Sequence, residues 1–293
     1  MLLSPCIKLV AAFNHLHIFI DPTPDIETSY QERERLFKLP RSTWADYDPN
    51  LISKGGGVFS RQQKNIEISA EIKKALRIAK KTLTPEELIR AILSAPADLL
   101  WFGGIGTYIK ATDETNAQVA DKANDGTRID ATQLRCAVVG EGANLGMTQP
   151  ARVEFALRGG RLNTDFIDNS AGVDCSDHEV NLKILFEEAI RKKDLTFSSR
   201  NDLLEDISDP VSNLVLRDNY VQTQIISMIE SRGPHVLERQ NRLMKLLERT
   251  GLLDRHLEYL PNDEEVEERL LMQKGLTRPE IAVLLSYGKI FAL

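Results

Sequence analysis

Residues 134–185 read LRCAVVGEGANLGMTQPARVEFALRGGRLNTDFIDNSAGVDCSDHEVNLKIL, and this stretch decides the predicted fold. The apolar run at 136–139 has the length of a short strand. It ends in a glycine-rich turn, where glycine permits a sharp bend and the close approach of a ligand. Apolar residues at helical spacing predict a helix over 150–157, which two glycines end. Residues 165–167 are predicted as a second short strand, broken by the polar residues at 168–172.

Two strand–helix units in succession are typical of a parallel sheet with helices on its faces. We therefore predict an α/β fold, namely a Rossmann-like doubly wound parallel sheet that is incomplete at its amino end and is followed by a mainly helical region. Such sheets bind ligands at the carboxyl ends of their strands. The candidate site is therefore the set of polar residues just past the two predicted strands, which are Asn144, Thr148, Asn169, Ser170, Ser176 and Glu179.

The composition restricts the class of protein. The 293 residues carry a formal net charge of −6 and have no basic stripe interleaved with aromatic residues, so we expect no nucleic-acid partner. No apolar run approaches the ~20 residues of a membrane span, and no membrane partner is expected. Cys6, Cys136 and Cys175 are widely spaced and odd in number, which argues against a disulfide framework and indicates a reducing, cytoplasmic compartment. We predict no metal site.

The remaining elements follow from periodicity and from helix-end signals. Strands are predicted at 7–13, 17–20 and 98–102, and helices at 27–39, 68–79, 85–93, 211–231, 235–250, 264–274 and 279–285. The polar segment 198–202 is predicted as a loop. We assign residues 1–190 to a partial dinucleotide-binding domain with a helical insertion near 26–95, and residues 191–293 to a truncated helical region.

Three glycine clusters leave alternatives open. Residues 55–57 could form a phosphate loop, but no Lys-Ser/Thr pair follows them, which favours a flexible turn. Gly103 and Gly104 form either a plain strand-to-helix turn or a turn that approaches a dinucleotide. Residues 140–146 resemble a dinucleotide fingerprint, but the third glycine comes one residue late. We favour a turn after a late strand of the sheet.

Four long strings carry a resemblance to a known family. They are LLWFGGIGTYIKA at 99–111, VVGEGANLG at 138–146, NTDFIDNSAGVDCSDHEVN at 163–181 and GLTRPEIAVLLSYGKI at 275–290. These strings resemble the large bacterial NAD-specific glutamate dehydrogenases. The runs at 141–144, 169–173 and 176–179 are also similar to the EGAN turn, the Asn-Ala-Gly-Gly-Val loop and the S-x-x-E sequence of the wider superfamily. The resemblance extends over nearly the whole chain, from residue 7 to residue 290.

This resemblance implies an enzyme that oxidatively deaminates L-glutamate to 2-oxoglutarate and ammonia, with hydride transfer to NAD. In such an enzyme the cofactor supplies the redox chemistry and the protein supplies position and electrostatics. The resemblance implies that Asn169 orients the nicotinamide carboxamide and that Asn144 holds the cofactor ribose. It also implies that Ser176 binds the side-chain carboxylate of the substrate.

Three further cofactor contacts are implied. The turn at Gly103 and Gly104 would approach the dinucleotide. Asn14 follows the strand predicted at 7–13, which would be the second strand of a dinucleotide fold. An acidic residue usually ends that strand and binds the adenosine ribose. A neutral amide repels a 2′-phosphate less than a carboxylate does, so the choice of NAD over NADP depends on the resemblance.

His178 opens a predicted helix, a position more typical of a surface residue than of a general base.

The family's glycine-rich loop and its catalytic lysine and aspartate lie upstream of the matching segment, and nothing in this chain corresponds to them. We therefore expect a partial chain that covers the carboxyl part of the catalytic region, has no catalytic residue of its own and begins, at Met1, inside a crossover helix. The resemblance implies a homo-oligomer for the full-length enzyme.

The sequence leaves two other functions open. The chain could be a non-catalytic remnant, a cofactor-binding or interaction module that kept the fold. It could also belong to a leucine or phenylalanine dehydrogenase, but such an enzyme needs an apolar residue facing the substrate side chain. Ser176 argues against that third class.

The isolated chain should therefore show no dehydrogenase activity, because the predicted catalytic groups are not encoded in it. The measurement is NAD reduction by the purified chain in the presence of glutamate, followed by absorbance. Turnover near the level of a full-length enzyme of the family would contradict the prediction.

Overall fold

A computed structural model describes residues 3–292, so the expectation for Met1 lies outside the described residues. The chain forms two compact units. The first unit comprises the residues up to Asp98 together with Glu114–Cys136, and the second unit comprises Leu99–Asp113 and the residues from Ala137 onwards. No helix among residues 3–292 combines the length and the apolar character that a bilayer crossing demands.

The first unit contains a three-stranded antiparallel sheet in the order β1-β2-β3. Its strands are β1 (Ala11–Phe13), β2 (His17–Ile20) and β3 (Gly57–Ser60). The strand predicted at 17–20 is confirmed, whereas only the last three residues of the strand predicted at 7–13 are extended. Residues 14–16 connect β1 to β2 as a short loop, so these antiparallel strands form a hairpin. A Rossmann-like sheet would instead need a crossover between parallel strands.

The buried central strand β2 organises the core of the first unit. The Phe19 side chain is fully buried. Its ring stacks on Trp44 at a centroid distance of 4.9 Å and meets the tilted ring of Tyr47 at 4.7 Å. Helix α1 (Ile26–Lys38), predicted at 27–39, begins where the Asp25 carboxylate accepts a hydrogen bond from the Thr28 N–H. Such a cap satisfies one of the free N–H groups of the first turn.

The remaining elements of the first unit are short. They are the antiparallel pair β4 (Ile66–Glu67) and β5 (Thr82–Leu83), helices α2 (Ala70–Leu76), α3 (Pro85–Leu93) and α4 (Asn116–Val119), and strand β8 (Ile129–Asp130). Helix α3 is confirmed at both predicted ends. Helix α2 ends before the predicted residue 79, because Arg77 adopts a left-handed backbone conformation with φ of 54°.

A parallel strand pair lies at the centre of the α/β part of the second unit. Strand β6 (Leu99–Phe102) pairs in parallel with β9 (Val138–Glu141), in a register that aligns Trp101 with Gly140. Beside β9 the chain passes once more in parallel, at Arg161, whose N–H and C=O bond the backbone of residues 137 and 139. Strand β7 (Ile109–Lys110) and helix α5 (Gln149–Leu157) complete this part. Strand β6 and helix α5 confirm the predictions at 98–102 and 150–157. Strand β9 overlaps the strand predicted at 136–139 but begins and ends two residues later, and β7 is not among the predicted strands.

The second strand predicted in the deciding stretch is wrong. Residues Asp165–Asp168 form a helical turn, α6, and Ile167 is buried in the helical core of this unit. The extended passage lies earlier, at Arg161. The polar loop is also shorter than predicted, because the Asn169 side chain accepts a hydrogen bond from the Gly172 N–H and so caps helix α7 (Ser170–Arg191).

The rest of the second unit is helical, as predicted. It consists of α8 (Phe197–Asp206), α9 (Ser208–Arg232), α10 (Pro234–Arg249), α11 (Asp263–Leu271) and α12 (Arg278–Ala292). The loop predicted at 198–202 is wrong, because Thr196 caps α8 and the polar residues line an exposed helix. Buried apolar side chains form one core cluster, which includes Ile226, Leu237, Met244, Leu247, Leu260, Val266, Ile281 and Leu284.

Replacing Leu247 with Ala should lower the free energy of unfolding by about 2–5 kcal/mol, because its side chain is completely buried and the change leaves a cavity. Leu271→Ala is the matched control, since Leu271 ends α11 with 86% of its surface exposed and should change stability by less than about 0.5 kcal/mol. Urea unfolding followed by circular dichroism measures both. Equal losses in the two variants would contradict the assignment of the core.

Candidate functional site

The ends of β6 and β9 lie side by side, and a tight turn follows β9. The N–H of Ala143 donates to the Phe102 carbonyl at 3.0 Å, which fixes the turn against the end of β6. The ring of Trp101 covers the glycines of this turn, since a Cβ added at Gly142 would come within 2.3 Å of the ring. A side chain at position 142 would therefore displace the tryptophan.

A buried ion pair holds both ends of this turn. The Arg152 guanidinium of α5 donates from Nε and Nη2 to the two carboxylate oxygens of Glu141, at 2.7 and 2.8 Å. Glu141 also accepts the Met147 N–H at 3.1 Å. Burial raises the pKa of Glu141, and the hydrogen bonds from Arg152 oppose that rise. Desolvation alone would lower the pKa of Arg152, but the hydrogen bonds with Glu141 raise it, so the guanidinium stays charged.

Two aspartates of α6 attach the turn to the next segment of the chain. Asp165 Oδ2 accepts the Leu145 N–H at 2.8 Å and lies 3.2 Å from Arg152 Nη2. Asp168 Oδ2 accepts the Glu141 N–H at 3.1 Å. Burial raises the pKa of Asp168, and hydrogen bonds, including one from Asn163, partly offset this effect. The turn after β9 is therefore supported by side chains along its whole length.

The structure brings Asn144 and Asn169 together. Asn169 Nδ2 donates to Asn144 Oδ1 at 2.7 Å, while Asn169 Oδ1 accepts the Gly172 N–H at 3.0 Å. Asn144 is exposed and Asn169 is half-buried. The two amides thus form a polar edge where the turn after β9 meets the start of α7.

Ser176 is on the same helix as the Asn169 cap. Seven residues correspond to about two helical turns, so Ser176 follows Asn169 on the same side of α7, roughly 10 Å along its axis. Its side chain is exposed. No hydrogen bond joins Ser176 to Asn144 or Asn169 among the contacts of the described residues. The structure therefore brings the two amides together and leaves Ser176 further along α7, with no hydrogen bond to either amide.

The two glycines that follow β6 belong to the second unit, whereas Asn14 belongs to the first. Gly103 and Gly104 are exposed, and a Cβ added at Gly104 would meet no atom within 4 Å, so its backbone faces open space. Asn14 lies in the hairpin of the first unit, where its Oδ1 accepts the N–H groups of Leu16 and His17 at 2.9 and 2.8 Å. The binding roles of all six predicted residues remain predictions.

The residues that support the site from the helical region were not predicted from the sequence. Arg278 of α12 donates through Nε and Nη2 to Asn163 Oδ1 at 3.0 and 2.8 Å. Its Nη1 donates to Glu230 of α9 at 2.7 Å. Because Asn163 bonds Asp168, this arginine connects the helical region to the turn after β9. The sequence feature that could have indicated Arg278 is its charge, which stands out in the mainly apolar segment that forms α12.

The two side-chain amides can bind a polar ligand through hydrogen bonds. Amide groups donate and accept, which suits hydroxyl and carboxamide groups of a ligand. Cys136, by contrast, is buried, and burial raises its pKa to about 11, so its thiol is not an activated nucleophile.

Comparisons with known proteins identify the family. The family model described as "Bacterial NAD-glutamate dehydrogenase, catalytic domain" matches residues 1–229. Proteins named NAD-specific glutamate dehydrogenase from Pseudomonas aeruginosa, Halomonas elongata and Mycobacterium tuberculosis are 58%, 55% and 49% identical to the chain. Each match covers 99% of this chain and 18% of the relative, so the chain spans less than a fifth of those proteins. The chain belongs to the family of bacterial NAD-glutamate dehydrogenase catalytic domains.

Proposed function

We propose that this chain forms part of the NAD site of an NAD-dependent glutamate dehydrogenase, which oxidatively deaminates L-glutamate to 2-oxoglutarate and ammonia. The observation that carries the proposal is the hydrogen bond between Asn144 and Asn169 at the ends of two adjacent segments. Family membership supplies the reaction class, since the relatives are named for this activity.

The parallel pair of β6 and β9 supports a Rossmann-like, doubly wound arrangement for the cofactor part. The passage at Arg161 adds a third parallel segment beside the start of β9. The glycine turn follows the carboxyl end of β9, the end at which such sheets bind ligands. We assign residues 1–190, with a helical insertion near 26–95, to the cofactor domain and residues 191–293 to a helical region.

Each proposed role uses a group that the site presents. NAD supplies the hydride chemistry when bound, and the protein positions it. Asn169 orients the nicotinamide carboxamide, Asn144 bonds the ribose, and the open backbone at Gly103 and Gly104 allows close approach of the dinucleotide. Orientation of this kind fixes which ring face receives hydride.

Ser176 donates a hydrogen bond to the side-chain carboxylate of the substrate, and its exposure two turns along α7 supports this role. For Asn14, the proposed contact with the adenosine ribose comes from Nδ2, because Oδ1 already holds the hairpin turn. The buried pair of Glu141 and Arg152 reacts with nothing, and its role is to keep the turn rigid.

The cellular setting follows from the same proposal. We place the protein in the cytoplasm, as part of a homo-oligomeric enzyme with glutamate and 2-oxoglutarate as its small-molecule partners. The three cysteines, none of which forms a disulfide among the described residues, are consistent with a reducing compartment.

A second candidate function is an interaction module without turnover. Large apolar side chains are exposed on α7 and α9, with Ile184, Leu216 and Tyr220 each more than 60% exposed. Exposed apolar surface of this kind is typical of a protein–protein contact. Cofactor binding distinguishes the two candidates.

NAD should protect the chain against thermal unfolding, because a ligand that binds only the folded state stabilises it. Asn169→Asp should weaken NAD binding about tenfold, the equivalent of one lost hydrogen bond at ~1.4 kcal/mol. Aspartate keeps the oxygen that caps α7 but loses the donor to Asn144. Asn213→Asp on the exposed side of α9 makes the same chemical change elsewhere and should bind NAD like the wild type.

Thermal unfolding at increasing NAD concentration measures this. The absence of any protection in the wild type would favour the interaction module. Equal binding by Asn169→Asp and the wild type would remove Asn169 from the site.

Arg278→Lys should lower the free energy of unfolding by about 2 kcal/mol and weaken NAD binding, although Arg278 contacts only protein groups. Lysine keeps the charge but cannot make the forked contacts to Asn163 and Glu230. Arg217→Lys on the exposed surface of α9 is the control and should change neither quantity. Chemical unfolding and NAD titration measure the two effects. Loss of stability with unchanged NAD affinity would show that the support does not extend to the cofactor turn.

A further inference from the structure

Three potential metal ligands from two helices of the second unit converge on one point. Asp174 and His178 lie one turn apart on α7, and Asp218 projects from the neighbouring helix α9. One ligand atom from each residue lies within 4.8 Å of the other two. Residues four apart in a helix share a face, which explains how α7 offers both side chains to Asp218.

The contacts among these groups leave them incompletely satisfied. Asp174 Oδ2 is shielded from solvent, and no hydrogen-bond partner for it occurs among residues 3–292. His178 Nε2 lies 3.8 Å from Asp174 Oδ1, which is too long for a hydrogen bond. The Asp218 carboxylate of α9 lies beside Asp174, since the ligand atoms of all three residues lie within 4.8 Å of one another. Two close carboxylates with an unpaired oxygen require a positive charge or a shared proton.

The ammonium group of Lys289 lies near this cluster but bonds elsewhere. Its Nζ donates to Gln222 Oε1 at 3.0 Å. Asp177 adds a further negative charge nearby. The position between the three ligands is thus surrounded by negative charge, and the imidazole offers Nε2 as a third ligand atom.

We propose that Asp174, His178 and Asp218 bind a divalent transition-metal ion of the zinc class. One imidazole and two carboxylates are suitable ligands for such an ion, and three protein ligands leave a fourth position for water. Zinc bonds to nitrogen and oxygen are about 2.0–2.2 Å long, so the three side chains need to close by roughly 1 Å from their present separation. Small rotations of the three side chains, of which Asp218 is exposed, provide this movement.

The ion would attach α7 to α9. All 22 residues of α7 are described, and none of them is buried, so this helix has little apolar packing of its own. A metal bridge between the helices compensates for that lack. It lies about two turns beyond the Asn169 cap, between Asp174 and His178, and would steady the first half of α7. The sequence does not reveal the site, because Asp218 comes 40 residues after His178.

Isothermal titration of the full chain with ZnCl₂ tests the proposal. We expect one saturable equivalent in the wild type, with His178→Ala and Asp218→Asn each weakening the affinity at least about tenfold. His15→Ala is the control for a surface histidine, since His15 is exposed in the first unit. Cys175→Ser is the control for the neighbouring thiol, a soft zinc ligand. Both controls should bind like the wild type.

Thermal unfolding gives a second readout. Zinc should raise the midpoint of the wild type and of both controls, and it should leave His178→Ala unchanged. Circular dichroism verifies that each variant is folded. The proposal is overturned if the wild type does not bind zinc, if His178→Ala and Asp218→Asn bind it undiminished, or if only Cys175→Ser abolishes binding. Absence of zinc binding in a folded wild type would leave a shared proton as the explanation of the two close carboxylates.

Discussion

The turn after β9 depends on the buried ion pair between Glu141 and Arg152. Its two short hydrogen bonds bring a strand end and a helix into one fixed arrangement, and the carboxylate also holds the Met147 N–H. Removing Arg152 would leave the Glu141 carboxylate buried without its charged partner, at a cost of about 3–5 kcal/mol. Such a pair adds little to stability compared with an apolar pair of equal volume, but it defines a geometry. That geometry sets the position of the amides of Asn144 and Asn169.

The helical region supports the same turn from the other side. Arg278 reaches Asn163, which bonds Asp168, and Asp168 accepts the Glu141 N–H. A second connection runs from Asn219 of α9 to the carbonyl of Ile167, at 2.8 Å. Residues far apart in the sequence therefore cooperate in one polar network. Side chains in such a network have defined orientations, because each donor and acceptor restricts its neighbours.

Elements with strong local signals could be predicted from the sequence, whereas elements fixed by tertiary contacts could not. Helix α3 matches its prediction because Thr84 and Glu87 form a capping box within one turn. The strand predicted at 165–167 is a helical turn because Asp165 bonds the Leu145 N–H and Ile167 enters the helical core. A short apolar run does not contain that information.

The candidate site also combines features that the sequence predicts with features that only tertiary contacts define. The sequence predicted Asn144 and Asn169 just past two strand ends. The first strand is β9, but the second is the helical turn α6, and Asn169 reaches Asn144 because it caps α7. The partnership of Glu141 with Arg152 joins residues eleven positions apart across a turn of unknown shape, so no periodic pattern reveals it. Arg278 acts from more than a hundred residues away. Its role depends on packing that only the folded chain defines.

The tryptophan that covers the glycine turn gives the site an optical property. The chain has two tryptophans, and Trp44 stacks on Phe19 in the first unit, far along the sequence from the turn. Trp101 is 39% exposed, and its indole packs against Gly140 and Gly142. Any molecule that settles over these glycines changes the water around that ring. The intrinsic fluorescence of the unmodified chain thus contains a component that reports occupancy of the turn.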